Sequence, residues 1–314
     1  MVAIHSMKTF LCWLSFSFTF LFLADRALAQ GGLMPTGAPG PSMKTLQQIE
    51  PRIPISSLGF TITQPGSYYV TTNLFTATGF GIRVNSDDVI LDLGGWTIGG
   101  ALGTAEGIIC QLAKTNITVR NGTVRGFATG VHLAFASNVK VEAVTAPRNS
   151  GRGIYVGAKS IVVDCSAMGN GSRGIETGVG SEVRGCRADQ NGTGGIVSSD
   201  DAVIRDSFAV SNSAVGFTAG NGASLLNCLA QNNAASGMVI GDHSLLRDCS
   251  SKNNDGTGFV TGLGSSIRDS AATGNTGNGF QGSAVNNMCR SVPSGMAPVA
   301  SLRLATESKS NVPL

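Results

Sequence analysis

The chain has 314 residues, of which 43 are Gly, 13% are charged and 6% are aromatic, and its formal net charge is +3. A hydrophobic content of 42% with so small a net charge excludes a disordered chain. The small charge also gives no concentrated basic surface, so no nucleic-acid partner is expected.

The first 29 residues are predicted to be an export signal. Lys8 precedes an apolar run from Phe10 to Ala24, and Ala27-Leu28-Ala29 has the small-x-small pattern of a signal-peptidase site, which places cleavage before Gln30. The apolar run is shorter than the roughly 20 residues that span a bilayer, and this disfavours a membrane anchor. We therefore expect a protein that is secreted, periplasmic or at the cell surface, with no membrane insertion after cleavage.

Residues 30–58 are predicted to form a flexible leader and an N-terminal cap. Residues 30–42 are rich in Gly and Pro, which is typical of a flexible segment. Leu46 and Ile49 have helical spacing within Met43–Glu50, and Pro51 would end that helix. A short helix there would cover the open end of a repeat domain, where strand edges otherwise invite association.

A 21-residue repeat dominates the rest of the sequence. A Gly followed by an apolar residue recurs every 21 residues at Gly153, Gly174, Gly195, Gly216, Gly237, Gly258 and Gly279. The same pair occurs upstream at Gly81, Gly107 and Gly130, where the intervals are 26 and 23 residues. Ten coils of a solenoid are therefore predicted.

Columns of equivalent residues show what each coil places inside. Apolar residues alternate with polar ones, which indicates short strands. One column holds Cys165, Cys186, Ser207, Cys228, Cys249 and Ser270. Another column is Asn in every regular repeat: Asn149, Asn170, Asn191, Asn212, Asn233, Asn254 and Asn275. Inward carboxamides stacked at one-coil intervals are expected to form a hydrogen-bonded ladder.

These columns predict an all-β fold, a right-handed parallel β-helix over residues 59–285, followed by a tail or cap at 286–314. A leucine-rich repeat is excluded because its Leu positions hold Cys, Ser and Ala here. A left-handed β-helix repeats in sixes, and 21 is not a multiple of six. Right-handed crossovers are also the rule for parallel strands.

The sequence resembles the secreted right-handed β-helix proteins of the pectin-lyase-like superfamily. The resemblance lies in the columns and in the segments Phe60–Leu74 and Asp88–Leu93, and Gly37–Pro54 resembles the leader of a bacterial subset. It covers residues 37–285. It implies the β-helix fold, an extracellular polysaccharide partner, and polysaccharide β-elimination or glycoside hydrolysis as the reactions to consider.

Six cysteines remain once the signal peptide is removed, and they are expected to be free thiols. Cys165 would stack on Cys186, and Cys228 on Cys249. In-register parallel neighbours have Cβ atoms about 4.8 Å apart, beyond the roughly 3.5–4.5 Å of a disulfide. The sequence gives no place in the repeat to Cys110 and Cys289, the remaining two.

The turn that closes each coil carries the best candidate for chemistry. Most coils have Gly-x-Gly there, but Asp200-Asp201 and Asp242-His243 depart from it. Asn221 lies between them in the column, so the acids at 200 and 242 would be about 9–10 Å apart. Such oxygen ligands suit calcium, the candidate cofactor, and that separation is near the upper end for an inverting glycosidase. Ordinary turn chemistry is the alternative, since Asp and Asn favour turns.

A second candidate is an outward column of arginines, interrupted by Leu226: Arg184, Arg205, Arg247 and Arg268. Stacked like charges repel, so something must offset them. One interpretation is ion pairing with the adjacent Asp206, Asp248 and Asp269. The other is an acidic polysaccharide that lies along the column.

The resemblance implies catalytic motifs such as Gly-His-Gly, Asn-Thr-Asp or Arg-Ile-Lys, and the sequence contains none of these. This and the short loops favour an exported, non-catalytic β-helix. Such a protein would bind or sit among extracellular polysaccharide, or act as a surface scaffold. The alternative is a polysaccharide lyase or glycoside hydrolase that acts on an acidic polysaccharide. The sequence leaves open whether the protein is an enzyme.

Overall fold

The computed structural model describes residues 51–282 and the backbone of residues 288–292. The predicted signal peptide (1–29), the leader with its helix at 43–50, and most of the predicted tail lie outside the described residues. Within the described part, none of the chain forms a helix with the length and apolarity needed to cross a membrane.

The described residues form thirty strands, which follow one another in chain order. The first fifteen are β1 Ile53–Ile55, β2 Phe60–Ile62, β3 Gly66–Val70, β4 Leu74–Thr76, β5 Ile82–Val84, β6 Val89–Asp92, β7 Thr97–Thr104, β8 Ile108–Ile109, β9 Ile117–Phe127, β10 Val131–Leu133, β11 Lys140–Pro147, β12 Ile154–Val156, β13 Ile161–Val163, β14 Ser166–Met168 and β15 Ile175–Thr177. The second fifteen are β16 Glu182–Arg184, β17 Arg187–Asp189, β18 Ile196–Ser198, β19 Val203–Arg205, β20 Phe208–Val210, β21 Phe217–Ala219, β22 Ser224–Leu226, β23 Leu229–Gln231, β24 Met238–Ile240, β25 Leu245–Arg247, β26 Ser250–Lys252, β27 Phe259–Thr261, β28 Ser266–Thr273, β29 Phe280–Gly282 and β30 Met288–Val292.

The strands form three parallel ladders, one strand of each per coil. One ladder is an eleven-stranded sheet that runs from β2 to β29, and we call it sheet B. The other two belong to a nineteen-stranded sheet, sheet A, because the long strands β9, β11 and β28 continue around the corner between them. This arrangement confirms the predicted parallel β-helix.

The solenoid has one coil more than the ten predicted, because Gly59-Phe60 begins an additional coil. The Gly59 amide donates to Gly81 O at 2.7 Å, and Phe60 pairs in register with Ile82. Strands also occur outside the predicted bounds of 59–285: β1 pairs with β3, and β30 pairs with β28. These end strands lack the Gly-apolar mark, so the repeat did not reveal them.

Glycine precedes the first inward residue of each sheet B strand, and from Gly81 to Gly258 no side chain fits there. At Gly153 a Cβ would lie 2.8 Å from Asn170 Nδ2, 2.7 Å from Gly174 O and 2.9 Å from Ala167 Cβ. All three neighbours are in the next coil, and the same crowding recurs at Gly174, Gly195 and Gly216. The high Gly content is thus partly a requirement of close coil stacking.

The seven-member Asn column forms a continuous ladder, which is buried from Asn149 to Asn254 and partly exposed at Asn275. Asn191 Nδ2 donates to Asn212 Oδ1 at 2.9 Å, and the Asn191 backbone amide donates to the same oxygen at 3.0 Å. The second Nδ2 hydrogen bond of Asn191 goes to Ala167 O, 3.1 Å away. The pattern repeats down the column, so each carboxamide satisfies polar groups that would be costly to bury unpaired.

The corners of each coil are made by residues in the left-handed region. One corner column includes Lys159 (φ 55°), Asp201 (φ 56°) and His243 (φ 54°). Two more such columns follow in each coil, and they are rich in Asp, Asn and Gly, the residues that tolerate this conformation. At Gly185 (φ 62°) a Cβ would lie 2.3 Å from Asp164 Oδ1, so a side chain there would require that carboxylate to move.

Five cysteines lie in the core as free thiols: Cys110, Cys165, Cys186, Cys228 and Cys249. Cys110 proves to be in phase, because its amide donates to His132 O at 2.9 Å and it lies three residues after Gly107, as Leu133 does after Gly130. The backbone of Cys289 pairs in register with that of Ser270, so Cys289 takes the next position of the Cys/Ser column. Irregular coil lengths at both ends hid these positions from the sequence pattern.

Removal of one carboxamide from the Asn ladder should lower the free energy of unfolding substantially. Asn212→Ala removes the acceptor of the Asn191 backbone amide and Nδ2 and the donor to Ala188 O, and we expect unfolding free energy to fall by about 2–4 kcal/mol. Asn221→Ala, at an exposed corner, should cost less than about 1 kcal/mol. Denaturant unfolding of the two variants measures the difference, and equal losses would contradict the role given to the ladder.

Asp92 anchors the first coils through charge. Its Oδ2 lies 3.0 Å from both Arg120 Nε and Nη2 and 3.6 Å from Arg52 Nη1, and its Oδ1 accepts from the Gly94 amide at 2.9 Å. Burial pushes the pKa of Asp92 upward, but the Gly94 amide and Arg120 outweigh it, so the pKa lies below its usual range. The stabilisation is therefore complete above the unfolded value of about 3.9 and is lost as pH falls through the folded pKa.

We expect Asp92→Asn to lower unfolding free energy by about 1–3 kcal/mol at pH 7, with a smaller difference below about pH 4. The exposed pair Arg247–Asp248 provides the control, and Asp248→Asn should change stability by less than about 1 kcal/mol. Denaturant unfolding as a function of pH tests this, and an Asp92→Asn deficit that grows on acidification would contradict it.

Candidate functional site

The predicted calcium column lies at the corner that follows sheet B. Asp200 Oδ1 accepts a hydrogen bond from the Asn221 amide at 2.8 Å, Asn221 Oδ1 from the Asp242 amide at 2.8 Å, and Asp242 Oδ1 from the Leu263 amide at 2.7 Å. One oxygen of each side chain is thereby committed to the backbone of the next coil. Among residues 51–282 and 288–292, no group of three or more His, Cys, Asp or Glu side chains is arranged to hold a metal.

Asp201 and His243 take the next corner position, where the backbone is left-handed. Both side chains are exposed, and His243 Cδ2 lies 3.0 Å from the place where a Cβ of Gly264 would be. The two residues share their column with Gly222 and Gly264. The four predicted catalytic candidates are Asp200, Asp201, Asp242 and His243, and the contacts that the structure gives them are those of corner residues.

The predicted arginine column is outward, but its partners differ from those expected. Arg205 Nη2 and Nε lie 2.6 and 3.0 Å from Glu182 Oε1, and Arg184 Nε lies 3.9 Å from the same oxygen. Asp206 instead accepts from Asn227 Nδ2 at 2.8 Å. Glu182 was missed because it lies in the preceding coil, 23 residues before Arg205.

The other two arginines have separate partners. Arg247 Nε lies 3.3 Å from Asp248 Oδ2, as expected, whereas Arg268 Nε donates to Ser266 Oγ at 3.3 Å. The column is therefore divided into local pairs, and such exposed pairs contribute little energy.

The richest side-chain constellation lies elsewhere, on the outer face of sheet B. The central residues of β10, β12 and β15 point outward and are in register: His132, Tyr155 and Glu176. The rings of His132 and Tyr155 stack at 5.5 Å between centroids and 15° between planes. We call these three residues, with Glu106, Phe135, Arg152 and Arg173, the Tyr155 cluster.

Charged groups hold one side of the Tyr155 cluster. The Arg152 guanidinium lies 4.6 Å from the Tyr155 ring centroid and also pairs with Glu176. Arg173 Nη1 lies 2.5 Å from the other carboxylate oxygen of Glu176. One carboxylate thus joins two arginines and fixes a cation over the aromatic ring, an attractive arrangement.

The other side of the Tyr155 cluster combines a polar pair with an exposed ring. Glu106 Oε1 lies 3.4 Å from His132 Nδ1. Phe135 is 61% exposed, and its ring centroid lies 6.1 Å from that of His132. An exposed aromatic face beside oriented polar groups is the composition of a binding surface for a small or polymeric ligand.

The sequence contained a signal for this cluster in the second residue after each Gly of the repeat. In the coils that follow Gly195, Gly216, Gly237 and Gly258 that residue is Val197, Thr218, Val239 and Val260, whereas His132, Tyr155 and Glu176 occupy it upstream. Arg83 also belongs to this column, and its guanidinium lies 4.0 Å from the Phe80 ring centroid. The signal therefore lies in an outward column of sheet B, away from the acids at the turns.

A family described as "Right handed beta helix region" matches residues 58–209. This match covers 152 of the 314 residues, and its description agrees with the parallel β-helix that the described residues form. The handedness predicted from parallel crossovers is thus confirmed. No curated protein matches the sequence.

Several solved structures are similar to this β-helix protein. The Geobacillus virus E2 protein ORF18 is 11% identical with a TM-score of 0.52, and the match covers 76% of this chain and 55% of that one. The A-module of Azotobacter vinelandii mannuronan C-5 epimerase AlgE4 is 14% identical (TM-score 0.45; 73% and 81% covered), and pectate lyase Pel9A is 14% identical (TM-score 0.37; 70% and 72% covered). At these identities the similarity is one of fold alone.

Proposed function

We propose that this protein binds an extracellular polysaccharide through the Tyr155 cluster and does not cleave it. The observation that carries the proposal is the exposed Phe135 ring beside the stacked His132 and Tyr155, on a face whose later coils carry Val197, Thr218, Val239 and Val260 in the same column. An aromatic face can cover the apolar C–H surface of a sugar ring, while neighbouring polar groups hydrogen-bond its hydroxyls.

The proposal moves the binding surface away from the arginine column. Aromatic residues make up only 6% of this chain, so a group of aromatic rings on one outward face is informative. The arginines at 184 and 205 converge on Glu182, whereas Phe135 leaves most of its ring uncovered. Export to the place where such polysaccharides occur belongs to the same proposal.

A second candidate function is a polysaccharide lyase, and the His132–Glu106 pair favours it. A carboxylate on Nδ1 orients an imidazole and leaves Nε2 free to accept a proton, the geometry of a general base. In β-elimination that base removes the proton beside the uronate carboxylate while the glycosidic C–O bond breaks. Arg152 and Arg173 lie on the same face, although Glu176 pairs with both.

Binding of purified full-length protein to a panel of neutral and acidic glycans tests the proposal. We expect a retained glycan, and Phe135→Ala should weaken its affinity about tenfold, equivalent to about 1.4 kcal/mol. Phe208→Ala is the matched control, because Phe208 is also an exposed phenylalanine (44%) but lies on sheet A. The Phe208→Ala variant should bind the glycan with the same affinity as the unsubstituted protein.

The same samples are assayed for unsaturated and reducing-end products with and without calcium. Binding without product supports the proposed function, whereas product that His132→Gln abolishes would establish the lyase instead. A protein that retains no glycan, or that loses equal affinity in the two phenylalanine variants, would contradict binding at the Tyr155 cluster.

A further inference from the structure

One carboxylate compensates both arginines of the Tyr155 cluster. Arg173 Nη1 donates to Glu176 Oε1 at 2.5 Å, and Arg152 Nε donates to the other oxygen of the same carboxylate. The Glu176 side chain is 13% exposed, whereas those of Arg152 and Arg173 are 36% and 39% exposed. The carboxylate is thus largely withdrawn from water, and its charge is matched by these two guanidinium groups.

The positions of the three charged groups follow from the repeat. Arg152 and Arg173 each come directly before the repeat Gly, so they are equivalent residues of adjacent coils. Like charges stacked in this way repel unless an acid compensates them. Glu176 is the outward residue of β15, and it pairs with Arg173 in its own coil and with Arg152 in the coil before.

The formal charges of the Tyr155 cluster balance. The guanidinium groups of Arg152 and Arg173 are matched in number by the carboxylates of Glu176 and Glu106. With the imidazole of His132 neutral, the cluster has no net charge. Its aromatic rings therefore lie among polar groups that can form hydrogen bonds but present no surplus cation to a ligand.

Two further cations border the cluster. Arg83 lies over the Phe80 ring, two coils before His132 in the same outward column, and Lys159 is an exposed residue at the corner that follows Tyr155. Neither forms an ion pair with another of the residues that the structure describes. A single cation at the edge of a solvated surface is screened by salt, so it discriminates weakly between charged and neutral ligands.

We propose that the polysaccharide bound by the Tyr155 cluster is uncharged, and that Glu176 is the residue that excludes anionic glycans. This inference rests on the proposed function and adds the class of ligand to it. A neutral glycan has no uronate carboxylate, so β-elimination, the second candidate function, would have no substrate at this surface.

The exclusion has a physical reason in the two ion pairs. A uronate that paired with Arg152 or Arg173 would have to take that guanidinium from Glu176 or share it. The first leaves a poorly solvated carboxylate without a partner, and the second brings two like charges together, so both are costly. A neutral sugar ring can cover Phe135 and accept hydrogen bonds from the remaining guanidinium N–H groups, and both ion pairs stay intact.

Matched pairs of polymers test the proposal with purified full-length protein. A soluble β-linked glucan, a β-linked mannan and every glycan retained in the panel above are each compared with the uronate made by oxidation of the primary hydroxyl groups. At about 0.05 M salt we expect the neutral member of a pair to bind at least about tenfold more tightly than the uronate.

Substitution of the carboxylate should change this preference. Glu176→Gln should raise the affinity for the uronate about tenfold at about 0.05 M salt, because two guanidinium groups lose their anionic partner. The gain should disappear at about 0.5 M salt, where the charges are screened, and the affinity for the neutral member should stay within about threefold.

Glu182→Gln is the matched control. Glu182 also joins two arginines, Arg184 and Arg205, but on sheet A, and its substitution changes the net charge of the protein equally. Its affinities should equal those of the unsubstituted protein. Glu176→Gln combined with Arg173→Gln restores the formal charge of the cluster and should restore the preference for the neutral member, which damage to the fold would not do.

Tighter binding of the uronate by the unsubstituted protein would overturn this inference and leave glycan binding at the cluster intact. So would an unchanged uronate affinity in a Glu176→Gln variant whose Tm shows that it is folded, or an equal gain in Glu182→Gln. Retention of neither member of any pair would contradict the proposed function, and this inference with it.

Discussion

Every coil of this protein depends on being in register with the next. Strands of three residues make too few hydrogen bonds to persist alone, so each coil is held by identical contacts above and below. The Asn ladder depends on register most strictly, because each carboxamide forms hydrogen bonds with the coil before it and the coil after it. Its partners there are a backbone amide, another carboxamide and a backbone carbonyl. Glycine at 153 and its equivalents follows from the same closeness, since a Cβ there would strike the ladder.

This constraint explains why the fold was predictable from the sequence and the site was not. Inward residues such as Asn191, Cys186 and Ala188 must repeat, so their columns are visible and specify the architecture. The additional coil at Gly59 and the phase of Cys110 were missed because the early coils differ in length and interrupt the pattern. Outward residues need not repeat, so periodicity gives no information on their partners, as the pairing of Arg205 with Glu182 shows.

The same division between inward and outward residues bears on function. The turn acids at 200 and 242 look unusual beside Gly-x-Gly, yet their contacts are hydrogen bonds that link one corner to the next. The outward side chains of the Tyr155 cluster are not needed for one coil to stack on the next, and they differ from the Val and Thr residues that occupy the same column in the later coils. In a solenoid, an unusual residue is therefore most informative about function when it lies in an outward column of a flat face, because packing does not require any particular residue there.

The central claim is that register between coils, more than the number of residues, determines stability. Deletion of the 21 residues 195–215 joins Gly194 to Gly216 and makes Asn233 the new neighbour of Asn191, so every inward column stays in phase. Deletion of only the 10 residues 206–215 removes half a coil and breaks the columns. Thermal unfolding followed by circular dichroism should show a cooperative transition for the longer deletion, with Tm lowered by less than about 10 °C, and a far less stable protein for the shorter one. Equal stability of the two deletions, or greater stability of the shorter one, would contradict the account.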